Sequence, residues 1–197
     1  MRVLMIGAPG SGKGTQGARI AAHFNVPHIG AGDILRGHVA RRTAIGRAAQ
    51  GHLDRGGLVP DEIVFDALGH ALCEVDGGYI LDGMPRTVPQ AERLHQLAVD
   101  LGRLPQVALH LHADDEELTR RLLARGSTGG RSDDTAPVIR ERLRRYHETT
   151  SPLKAWYALR GILLPVDAMR PAEHVGHEIV AALEALRPAA LEEGFAI

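Results

Sequence analysis

Two rhythms of hydrophobic and polar positions alternate along this chain. Short apolar runs are separated by longer stretches in which apolar residues return every three or four positions. A short run bounded by turn residues suits a buried strand, and the longer spacing suits an amphipathic helix. The runs predict strands at Val3–Ile6, Pro27–Ile29, Tyr79–Asp82, Gln106–His112 and Gly161–Val166. The longer periods predict helices over Asp33–Ala40, Thr43–Asp54, Asp61–Glu74, Gln90–Asp100, Asp114–Arg125, Ala136–Thr149 and Ala172–Leu186, and Ala18–Phe24 continues a further one. Start signals such as Pro60-Asp61-Glu62 and Asp114-Asp115-Glu116-Glu117 support them. Strands alternating with helices argue for an α/β fold with a parallel sheet. The segment from Pro188 onward is expected to be loosely held.

Composition narrows the class. The 197 residues fit one domain, and 44% apolar residues suffice for a sizeable core. A formal net charge of -1 provides no overall field toward nucleic acid or a membrane surface, so neither is expected as a partner. No apolar run approaches the roughly 18 residues of a membrane span, and Val3–Ile6 is too short for a signal peptide. The single cysteine, Cys73, rules out an internal disulfide or a cysteine-cluster zinc site. Cys73 lies on an apolar helical face and is expected in the core, and a cytoplasmic location follows from the whole.

The first strand runs directly into Gly7-Ala8-Pro9-Gly10-Ser11-Gly12-Lys13-Gly14-Thr15. Strand, GxxxxGK and helix in that order form a phosphate-binding loop. Glycines let successive backbone N–H groups face a ligand, and the helix adds its positive end. Lys13 is one of only two lysines among 23 basic residues, the other being Lys154. The strict motif has Ser or Thr directly after the lysine; here Gly14 intervenes before Thr15. Between two of the helices, Arg125-Gly126-Ser127-Thr128-Gly129-Gly130-Arg131-Ser132-Asp133-Asp134 has the composition of a mobile loop that closes over an anion.

Taken in order, GAPGSGKGTQ, GDILR, GLVPDEIV, LDGMPRT, GRSDD, RERL and TTSPL resemble the adenylate kinase family of nucleoside monophosphate kinases, from residue 2 to about 186. Gly14 is that family's own variant of the loop. The resemblance implies a P-loop NTPase fold with a five-stranded parallel sheet flanked by helices. It also implies a small helical NMP-binding insert over about 30–59 and a short lid over about 126–134. The implied reaction is reversible phosphoryl transfer from ATP to AMP with magnesium, by a monomer, and without zinc.

Residue roles follow from the resemblance. Gly10, Ser11, Gly12, Lys13, Gly14 and Thr15 would wrap the ATP phosphates, with Arg121 packed against the ATP base. Arg36 and Arg86 would hold the acceptor's phosphate. Arg125, Arg131 and Arg142 would bind the transferring group from the lid side, making Lys13, Arg86, Arg125, Arg131 and Arg142 the catalytic set. Ala31, Val59, Gly83 and Gln90 would surround the acceptor base. Thr15, Asp82 and Asp33 would hold magnesium, largely through water. Asp133 or Asp134 would anchor lid arginines or cap the next helix. His110 and His112 share a strand face and are read as packed rather than metal-bound, and Trp156 and Tyr157 as packing residues.

Several positions depart from the family pattern. Gly30-Ala31 stands where adenylate kinases commonly have Ser-Thr, and Met84 replaces the usual aromatic, so the acceptor site is expected to be roomier. Pyrimidine monophosphate kinases commonly carry alanine at the position of Ala31. Asp33, Thr87 and Gln90 point back to AMP. AMP is therefore the leading acceptor, followed by CMP or UMP and then a modified nucleotide. A small-metabolite P-loop kinase has no need of GLVPDEIV. A nucleotide switch would require NKxD, which is absent, and a dead kinase would have lost members of the charged set.

Overall fold

The computed structural model describes residues 1–54, 59–127 and 135–192, with side chains to 186. Among these, five strands form one parallel sheet: β1 (Arg2–Gly7), β2 (His28–Gly30), β3 (Tyr79–Asp82), β4 (Val107–His112) and β5 (Leu163–Asp167). Their order is β2-β3-β1-β4-β5. The chain winds toward β2 after β1 and toward β5 after β4, so its direction switches between β1 and β4. Ligands of open parallel sheets sit outside the carboxyl ends of the strands at such a point.

The strands are apolar on both faces because helices cover both. Leu4 and Ile6 pack in a core with Leu81, Leu68, Leu72 and Leu94. Val3 and Met5, one residue out of step, face Ile20, Ile179 and Leu183. The first core lies under α2 (Ala31–Ala40), α3 (Ala44–Asp54), α4 (Asp61–Cys73) and α5 (Val88–Asp100). The second lies under α1 (Lys13–Phe24) and α9 (Ala172–Glu192). A third, small cluster joins Ala8 of the opening loop to Leu118 and Leu122 of α6 (Asp115–Ser127) and to Ile139 and Leu143 of α7 (Ala136–Arg145). The helices bearing Arg121, Arg125 and Arg142 thus dock directly on the loop after β1.

The structure corrects the sequence reading in places. Cys73 is exposed rather than in the core. It is the last residue of α4, one step past buried Leu72, and it falls with exposed Asp66 and His70 on the outer face of the helix. The helix expected over Ala136–Thr149 is α7 followed by a π-helical turn, Tyr146–Thr150, where the Tyr146 hydroxyl meets His110 Nε2 at 3.0 Å. A short helix, α8 (Leu153–Ala158), follows and supplies buried Tyr157 to the first core. Trp156 packs against that core under the Arg160 guanidinium. Helix α9 runs past the expected end at Leu186 to Glu192. Met84 is buried within the first core. Among the described residues no helix is long and apolar enough to cross a membrane.

Helices α2 and α3 approach each other with no room at Gly46, where a Cβ would fall 2.1 Å from the His38 carbonyl oxygen. Backbone cannot yield as a side-chain tip can. Gly46→Ala should therefore destabilise the fold by about 1–3 kcal/mol, by overpacking, read as a lower urea midpoint with an unchanged m-value.

Candidate functional site

The loop between β1 and α1 is shaped by backbone that only glycine adopts easily. Gly10 has φ 87° and Gly12 has φ 93°. A Cβ on Gly10 would also press within 3.0 Å of the Leu118 carbonyl and the Leu122 side chain. The loop is thus held tightly beneath α6. No side chain caps α1, and its first turn contains no acidic residue. The first N–H groups of a helix have no intrahelical acceptors, so this end offers donors and positive potential to an anion. Ser11 is buried and its hydroxyl has no hydrogen-bond partner among the described residues.

Lys13 folds back into the loop, where Nζ donates to the carbonyl oxygens of Gly7 at 2.8 Å and Ala8 at 2.9 Å. Burial is the main force drawing its pKa from 10.5 down to about 8. The Asp82 carboxylate opposes that shift. Arg86, Arg142 and Arg125 reinforce it, in that order of strength. Lys13, Arg86, Arg125 and Arg142, from four separate stretches of sequence, therefore share one electrostatic neighbourhood with the Asp82 carboxylate. Asp82 ends β3, beside Met5 of β1, and its Oδ2 is 3.8 Å from where a Cβ of Gly14 would stand. Thr15 is exposed one residue further along α1.

On the other side of β3, strand register sets Gly30 beside Asp82. Helix α2 starts there, and Ala31 Cβ lies 3.8 Å from where a Cβ of Gly83 would stand. Asp33 and Arg36, on the exposed first turns of α2, pair at 2.5 Å. Arg86 Nε donates to the Gly83 carbonyl at 2.8 Å. The Arg86 backbone N–H donates to Gln90 Oε1 at 2.8 Å, and Gln90 Nε2 donates to Asp61 Oδ1 at 2.8 Å. Val59, two residues before Asp61, is partly buried against the first core. The residues read as the acceptor's surroundings are therefore neighbours.

On the β4–β5 side, Arg121 donates to Glu117 at 2.7 Å and to the Ala168 carbonyl at 2.8 Å. Those bonds use its edge and fix its plane, leaving stacking, which uses a guanidinium face, compatible with them. Hydrogen bonds from Arg120 and Arg121 hold the Glu117 carboxyl down at about 2. His110 is buried, hydrogen-bonded to Tyr146, and pushed down to about 4, first by burial and then by Lys154, His112 and Lys13, so it is neutral at physiological pH. His112 is exposed. Among the described residues no group of three or more His, Cys, Asp or Glu side chains gathers as a metal cage.

Some expectations lie outside the described residues: Gly57 and Leu58 of GLVPDEIV, and Arg131, Asp133 and Asp134 with 128–130 of the lid. Of the lid, Gly126 and Ser127 end α6. Sequence reasoning missed the Asp61–Gln90 bond. Pro60-Asp61-Glu62 marked a helix start, but nothing local signals a partner 29 residues away. It also missed the His110–Tyr146 bond and the tie from Arg121 to Glu117.

Comparison with known proteins accords with this geometry. The family model for Adenylate kinase matches residues 5–162. A protein named "Adenylate kinase" from Kocuria rhizophila is 48% identical over 93% of this chain and 98% of its own length. One of the same name from Thermobifida fusca is 44% identical over 93% and 98%. Another from Phocaeicola vulgatus is 40% identical over 94% and 100%.

The Lys13 shift fixes a pH dependence and its sign. Between about 8 and 10.5 the unfolded chain holds a proton on Lys13 that the folded chain has released. Raising pH across that window should therefore stabilise the nucleotide-free protein relative to Lys13→Met, by on the order of 1–3 kcal/mol after solvent screening. Paired urea titrations from pH 7.5 to 10.5 check it, and parallel curves would contradict it.

Proposed function

The chain belongs to the adenylate kinase family, and from that premise we propose that it transfers a phosphoryl group reversibly from ATP to AMP, giving two ADP. The observation that carries this reading is that Arg86, Arg125 and Arg142 all act electrostatically on Lys13 of the loop. Gly10 to Thr15 wrap the ATP phosphates, with Lys13 on the outer two. Arg121 lies against the ATP base. Arg36 and Arg86 take the acceptor's phosphate, which requires Arg36 to leave Asp33 or share it. Arg125, Arg142 and the lid's Arg131 bear on the transferring group.

Two polyphosphates brought end to end repel strongly once water leaves. Bidentate guanidinium groups neutralise and orient them together. The attacking oxygen belongs to a phosphate largely ionised near neutral pH, so no general base is required. Positioning and electrostatics carry such a transfer. Neutral His110 fits a packing role beside this machinery.

Magnesium would travel with ATP. The nearby donor set fits it: the Asp82 carboxylate and Thr15 hydroxyl are hard oxygen ligands, with Asp33 a second acid across β3. When bound, the ion would neutralise charge on the phosphates. Asp82 holds its oxygen toward the first turn of α1 through the β3 register. The α2–α3 pair would form the acceptor-side insert over 30–59, and 126–134 the short lid. The protein would work as a monomer in the cytoplasm.

Incubation with ATP, magnesium and each of AMP, CMP, UMP, GMP and dAMP tests the reading by product chromatography. Rapid ADP formation from AMP is expected. Activity confined to CMP or UMP would instead favour the pyrimidine reading that Gly30-Ala31 suggests. Arg142→Ala should lower kcat by about 10²–10³, the effect of removing one preorganised donor, with the thermal midpoint little changed.

A further inference from the structure

From the bonds around Gln90, and resting on the AMP reading above, we infer that Asp61 is a positioning residue. It locks the Gln90 amide in one sense and so makes the acceptor site prefer a 6-amino purine to a 6-oxo purine. A glutamine amide left to itself can rotate by half a turn and exchange its oxygen and nitrogen. Here both partners forbid that. The backbone N–H of Arg86 can only donate, so it requires Oε1, 2.8 Å away. The Asp61 carboxylate can only accept when ionised, so it requires Nε2, also at 2.8 Å. Chemistry alone therefore assigns the orientation, and the Asp61 bond, having a charged acceptor, is the stronger kind.

Each locked end keeps one capacity: a second N–H on Nε2 and a second lone pair on Oε1. Together these form a fixed donor–acceptor pair. A 6-amino purine offers an acceptor at N1 and a donor at the 6-position. A 6-oxo purine offers a donor at N1 and an acceptor at O6. The two edges are inverses, and a freely rotating glutamine would read either. A locked amide reads one, and mismatching leaves donor facing donor and acceptor facing acceptor. The lock comes from the first turn of α4 and the loop before α5, joining two elements that flank the acceptor side.

The test compares AMP with IMP, which inverts N1 and the 6-position alone. Asp61→Asn keeps the shape but can present either oxygen or nitrogen, so it removes the charge-assisted half of the lock and leaves only the Arg86 N–H to oppose rotation. In the wild-type enzyme AMP should be strongly preferred. In Asp61→Asn the ratio of kcat/KM for AMP over IMP should fall about tenfold or more, the worth of one charge-assisted bond. The change should lie in the acceptor KM, with the KM for ATP unaltered. A ratio between two acceptors is independent of the fraction of protein folded. In a Gln90→Ala background, Asp61→Asn should leave the ratio where Gln90→Ala set it. Loss of AMP and IMP turnover in equal proportion, or the same ratio change with Gln90 absent, overturns the lock. A wild-type enzyme that turns over no AMP overturns the underlying reading, and the lock with it, before any variant is made.

Discussion

The organising constraint is repulsion among like charges at one end of the sheet. Lys13, Arg86, Arg125 and Arg142 share a neighbourhood already made positive by the start of α1, and the Asp82 carboxylate opposes the effect of the arginines on Lys13. Left alone, such a cluster would push itself apart. It holds because each cation is mounted on an element with its own reason to be there. Lys13 is tied to loop carbonyls, Arg86 to Gly83, and the helices of Arg125 and Arg142 to the loop through an apolar contact under Ala8. Burial does most to depress the proton affinity of Lys13 and the three arginines add to it, and a bound polyphosphate would oppose both.

The fold places those mounts economically. A parallel sheet with its switch between β1 and β4 brings the carboxyl ends of β1, β3 and β4 side by side. The phosphate loop leaves β1, Asp82 ends β3, and α6 follows β4. Alternate residues of β1 feed two different cores, so the strand carrying the loop is clamped from both faces. The proposed acceptor side is lighter: α2 begins at the edge strand β2, three residues long, and its Asp33 and Arg36 are exposed and paired with each other. Firm packing around the loop beside a lighter, exposed α2 is compatible with the proposed binding of two nucleotides there.

Much of this was legible in the chain because its signals are local. All five strands lie where short apolar runs stand between turns, and Gly10, Gly12 and Lys13 declared the loop by spacing alone. Position across the sequence was harder. Apolar near neighbours suggest an apolar face for Cys73, yet it shares a helical face with exposed Asp66 and His70. The turn at Tyr146 widens where its hydroxyl reaches His110, a contact 36 residues distant that periodicity cannot encode. The same holds for Asp61 and Gln90, whose pairing depends on how α4 and α5 pack. Met84 suggests a roomier acceptor site by sequence, and its burial in the first core was not legible from its sequence neighbours.

The central claim is that these scattered cations converge on two nucleotides placed end to end. Its most direct test is the structure of the complex with a two-substrate analogue, two adenosines joined by a chain of phosphates. Lys13, Arg86, Arg125 and Arg142 should each place a nitrogen within about 3 Å of a phosphate oxygen on that one chain. A complex in which the analogue binds while two or more of those side chains stay turned away from it would contradict the account.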